Sequence, residues 1–139
     1  MTDDRVSSEQ NRHFPFGLAL AGVIPGVATA FVGAAILGRS WNACDIGTNS
    51  ANTITLLWMY IPALTVVASA WWGTVFVVAA RRSGTALVRV LGATFVGLLG
   101  ALILVWGLMG WRHNPGGDYP ATVCTPDNVP PWWPTWLPL

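Results

Sequence analysis

Residues 54–80 read ITLLWMYIPALTVVASAWWGTVFVVAA and run directly into Arg81 and Arg82. The stretch contains no Asp, Glu, Lys, Arg or His. At about 1.5 Å per residue, a helix of this length crosses a hydrocarbon core about 30 Å thick. Its apolar residues do not alternate with polar ones, which argues against a membrane-spanning strand. Two further runs of the same kind flank it, at 16–38 and 90–111, and neither carries an ionisable residue. With 53% hydrophobic and 9% charged residues over 139 positions, the chain lies outside the range of a soluble domain.

The expected fold is therefore an all-α membrane protein. Three transmembrane helices form one bundle over 16–111, preceded by a polar, disordered lead at 1–15. An external loop at 39–53, an internal turn at 81–89 and a Pro/Trp-rich tail at 112–139 complete it.

All the basic residues other than histidine are arginines, and their positions set the orientation. Arg5 and Arg12 precede the first helix, and Arg81, Arg82 and Arg89 flank the connection between the second and third. Only Arg39 and Arg112 fall on the other side. The positive-inside rule then gives a cytoplasmic N-terminus and an extracytoplasmic C-terminus, in a multi-pass protein of the plasma (inner) membrane. Arginine without lysine, with abundant Ala, Gly, Val and Pro, fits a GC-rich bacterial genome. The triplet Ala28-Thr29-Ala30 has the form of a signal-peptidase site, but cleavage there would leave an exposed apolar terminus, so the first run reads as an uncleaved helix.

Small residues recur at helical spacing on all three helices. Gly22, Gly26 and Ala30 mark one stripe, Ser69 and Gly73 a second, and Ala93, Gly97 and Ala101 a third, each allowing close approach of another backbone. Such stripes serve packing within the bundle or self-association. The short turn after the second helix makes the third its expected neighbour. Pro25 and Pro62 each remove one helical hydrogen bond and are expected to bend their helices.

Cys44 and Cys124 both fall on the outer side in this topology, so a single disulfide between the loop and the tail is expected. Neither belongs to a C-x-x-C pair, and a redox-catalytic role has no support in their spacing. The tail ends in Pro130, Pro131, Trp132, Trp133, Pro134 and Trp136, whose prolines favour extended or polyproline II chain. Its tryptophans need a surface: the lipid interface, the protein's own cap, or a partner. Trp41, Trp58, Trp106, Trp111, Tyr60 and Tyr119 map to the same outer half, an asymmetry beyond an ordinary interfacial belt.

Catalytic chemistry finds little to build on. His13 and His113 fall on opposite sides, so they cannot share a metal; His113 with Asp45, Asp118 and Asp127 is the one grouping that could form an acid-base or metal site, and pairing with Arg39 or Arg112 accounts for those carboxylates equally well. Coupled transport generally needs an intramembrane ionisable group, and the runs offer only hydroxyls at Thr29, Thr65, Ser69, Thr74 and Thr94. No enzyme activity, metal, cofactor or nucleic-acid partner is expected. The reading is a non-catalytic accessory or structural subunit of a bacterial membrane protein complex, partnered by lipids and by a larger protein or further copies of itself. The alternative is a small homo-oligomeric channel, transporter or lipid-binding protein.

Overall fold

The computed structural model describes residues 16–115, 123–124 and 126–139. Three helices are long and apolar enough to cross a membrane: α1 over Phe16–Cys44, α2 over Ser50–Arg81 and α3 over Ala86–Arg112. No strand occurs among the described residues. The lead at 1–15, with Arg5, Arg12 and His13, lies outside them, as do Asp118 and Tyr119.

Each helix runs past the limits its apolar run suggested. α1 continues through Arg39–Cys44, so the loop expected at 39–53 shrinks to 45–49. Burial explains the extension: Ser40, Trp41 and Cys44 continue the buried stripe of Gly33, Ala34 and Leu37, while the exposed Asn42 bonds back to Gly38 O at 2.9 Å. The helix ends at Asp45, whose left-handed backbone (φ 53°) directs its N–H to Trp41 O. α3 starts at Ala86, because Thr85 caps it by accepting from Val88 N. The turn expected at 81–89 is thereby shortened to 82–85.

Both prolines stand where a helix restarts. The hydrogen-bond ladder of α1 is interrupted at Gly22, whose N–H reaches Ala19 O at 3.2 Å, and regular helix resumes at Val23. Pro25 then lies in a first turn, where its missing N–H would have no partner within the helix. In α2 a π-helical turn spans Leu56–Tyr60, closed by Ile61 N–H on Leu56 O. Pro62 follows in the first turn of the α-helical segment Ile61–Arg81. One extra residue in the turn accommodates the proline.

α3 packs against α2 as expected, and α2 packs more extensively still against α1. The cause is the distribution of small residues. A Cβ on Gly22 would fall 2.6 Å from Gly73 Cα, and one on Gly26 would fall 2.5 Å from Ser69 Cα. These two backbones touch, in the manner that small residues permit in membrane bundles. Between α2 and α3, by contrast, the Trp71 and Trp72 rings fill the gap. Trp72 lies on Gly97, and Trp71 lies on Gly100 and donates from Nε1 to Gly97 O at 3.2 Å. The expected third stripe is accordingly shifted: Ala93 and Gly97 are buried, but Gly100 takes the second ring and Ala101 is only half-buried.

Candidate functional site

A cap with a buried cluster and a disulfide lies at the end of the bundle where α1 and α3 finish. Leu37, Trp41, Cys44, Ile46, Met109 and Cys124 form one buried cluster, against which Tyr60, Trp133 and Leu139 pack. Cys44 and Cys124 are joined by a disulfide across 80 residues of sequence. Beside it the Trp41 indole, 4% exposed, donates from Nε1 to Arg112 O at 3.0 Å, tying the last turn of α1 to the last turn of α3. Pro115 and Pro130 are fully buried in this region.

The tail is not the extended segment that its prolines suggested. Trp133 N–H donates to Pro130 O at 2.9 Å and Leu137 N–H to Pro134 O at 3.0 Å, making two successive turns. Proline lacks an N–H but keeps its carbonyl, and Pro131 occupies the second position of the first turn, where its fixed φ is favourable. These turns fold the tail back onto its own helices. Trp106 Nε1 on α3 donates to Pro138 O at 2.8 Å, and Trp133 Nε1 donates to Leu137 O at 2.8 Å. The Arg39 guanidinium of α1 lies 5.6 Å from the Trp132 ring centre.

This geometry divides the six tail residues singled out for partner binding. Pro130 is buried, and Trp133 and Pro134 are half-buried against the protein's own cap. Pro131, Trp132 and Trp136 face outward, Trp136 being 79% exposed. Trp58 and Trp111, at 78% and 71%, are exposed as well.

Arg112 occupies a position that spacing in the sequence did not single out. Its guanidinium lies 5.2 Å from the Tyr60 ring centre and 5.7 Å from that of Trp111, and the two rings stand 6.0 Å apart. Two aromatic faces thus hold the positive charge. The π turn has a role here, since Tyr60 is its last residue. Arg112 and Trp111 are adjacent and readable as an interfacial pair, but Tyr60 lies on another helix and no local pattern links them.

The sequence's one acid-base grouping is not assembled among the described residues. His113 Nδ1 lies 3.0 Å from Met109 O, one turn back in its own helix. No three His, Cys, Asp or Glu side chains among the described residues come together in a metal-binding arrangement. Within the helices, Thr29 Oγ1 donates to Pro25 O at 2.8 Å and Thr74 Oγ1 to Ala70 O at 2.7 Å, both satisfied on their own turn. Thr29 also accepts from Trp72 Nε1 at 3.3 Å, which links α1 to α2. No protein-family model matches this chain, and no curated protein or solved structure matches it.

Proposed function

We propose that this chain is a non-catalytic accessory or structural subunit of a larger bacterial membrane protein complex. In this reading it docks through an exposed side of α3 within the bilayer and through the outer face of the tail. The observation that carries it is the unequal burial of the helices. The most apolar window of α1 is 39% buried, that of α2 22% and that of α3 17%. Leu91, Phe95, Leu98 and Leu102 are all exposed and recur along one side of α3. The Trp106 bond to Pro138 holds the tail against that same helix, with exposed Trp136 nearby in sequence. Trp is enriched among the residues that dominate the energetics of protein association.

The proposed orientation keeps the N-terminus in the cytoplasm of a cell bounded by the inner membrane. It is supported by Arg81, Arg82 and Arg89 at the end of the bundle opposite the cap, and by a disulfide suited to an oxidising compartment. Both arginines at the cap end, Arg39 and Arg112, lie against aromatic rings.

Purification from native membranes in a mild detergent, with mass spectrometry of what stays bound, tests the reading. A fixed set of larger subunits at near-stoichiometric yield is the expected result. Recovery of the chain alone, as a discrete oligomer, overturns it in favour of a self-sufficient assembly.

A further inference from the structure

At the end of the bundle remote from the disulfide, a groove of about 490 Å³ lies between α2 and α3. Trp71, Val75, Val78 and Val96 supply apolar walls, and Arg82 and Arg89 stand at its polar end. Arg89 also borders a second cavity of about 220 Å³, beside Leu18, Phe76 and Val90. The guanidinium of Arg89 reaches Ala80 O at 3.4 Å through one Nη, while its Nε is buried without a hydrogen-bond partner among the described residues. A buried donor of this kind favours an acceptor, above all an anionic one. Neither α2, α3 nor the turn joining them supplies one, for no Asp or Glu occurs between Asp45 and Asp118, and Asp3, Asp4 and Glu9 of the lead lie outside the described residues. The positive charge of Arg81, Arg82 and Arg89 is therefore not offset by any acidic residue of α2, α3 or the turn joining them.

We propose that this groove binds one anionic phospholipid, its phosphate held between Arg82 and Arg89 and one acyl chain lying along the Trp71, Val75 and Val96 walls. Charge complementarity selects this occupant. A zwitterionic lipid fills the apolar part equally but brings a cation to the arginine end, and a transmembrane helix fills it without an anion. Basic pockets between helices at the cytoplasmic side of a bundle are suited to anionic headgroups. The site depends on the helices lying in a bilayer and not on the accessory-subunit reading, since the groove belongs to one chain.

The test is native mass spectrometry of the full chain in detergent, offered equal amounts of dioleoyl phosphatidylglycerol and dioleoyl phosphatidylcholine. The expected result is retention of the anionic lipid about 25-fold over the zwitterionic one, from about fivefold for each of the two arginines at a membrane surface. The R82Q/R89Q variant is expected to retain both lipids equally. G92L adds bulk at a groove-lining position whose Cβ meets no atom within 4 Å, and is expected to reduce retention of both lipids with the charges intact. Glycerol phosphate, a headgroup without chains, is expected not to displace the bound lipid. Equal retention of the two lipids by the unaltered chain overturns the proposal. So does an anionic preference that survives R82Q/R89Q, retention unchanged in G92L, or displacement by glycerol phosphate, which would reduce the site to an anion site alone.

Discussion

Gly97 carries no side chain, yet it is one of the most constrained positions in the bundle because the Trp72 ring occupies the space beside it. Replacing it with leucine forces that ring, and with it α2, away from α3. G97L is expected to lower stability by about 1–3 kcal/mol, the usual range for overpacking. Gly107 lies on the same helix with nothing within 4 Å of a built Cβ, so G107A should leave stability unchanged or raise it by about 0.5–1 kcal/mol. Denaturation of both variants in one detergent, followed by helical circular dichroism, separates them; equal destabilisation would falsify the packing role assigned to Trp72. Trp41 offers a complementary case. W41F keeps most of the apolar ring but loses the bond to Arg112 O, and a loss of about 1 kcal/mol is expected in the same assay. The glycines could be read in advance as contact points, because small residues at four-residue spacing announce close approach. Which residue approaches them could not, since Trp71 and Trp72 lie on another helix and their alignment depends on a register no local pattern contains.

At the scale of the elements, covalent and conformational constraints act on different parts of the chain. The disulfide joins the end of α1 to the tail, and the two proline turns fold the tail onto α3. In the chain-entropy picture, closure of a loop spanning 80 residues contributes about 4 kcal/mol, less where a membrane already restricts the unfolded chain. The C44S/C124S variant is accordingly expected to keep its helical content but to expose the tail to protease, with cleavage near 123–139 appearing first. Limited proteolysis with mass analysis reads this directly, and an equally resistant tail in the variant would assign its order to the proline turns alone. The helix ends show the limit of pattern reading. Arg39 and Asn42 gave 39–44 the look of a loop, but Ser40, Trp41 and Cys44 on the opposite face are buried, and burial on that side prolonged the helix. Likewise the prolines were legible as helix interruptions, while the π turn that absorbs Pro62 was not, because the same residues can form either kind of turn until Tyr60 finds Trp111 and Arg112.

For the whole molecule, three long apolar helices were evident from hydropathy, and their order of contact was not. A short turn brings α2 and α3 together in sequence, yet the small residues of α1 draw α2 closer, and bulky indoles hold α3 farther away. The proposed orientation makes its own prediction. On intact cells a membrane-impermeant maleimide should label T135C in the tail at once, but S83C in the internal turn only after lysis. The reverse pattern would invert the topology while leaving the bundle intact. That orientation also assigns the disulfide a place in time. Cys44 leaves the ribosome well ahead of Cys124, and at about 5–20 residues per second the 80 intervening positions correspond to about 4–16 seconds of synthesis. In the proposed orientation the first thiol would face the oxidising side through that interval without its mate. In that orientation, sealing of the cap would report that α3 has been threaded and the nascent chain has passed residue 124, and the bond would double as a chemical record of completed insertion.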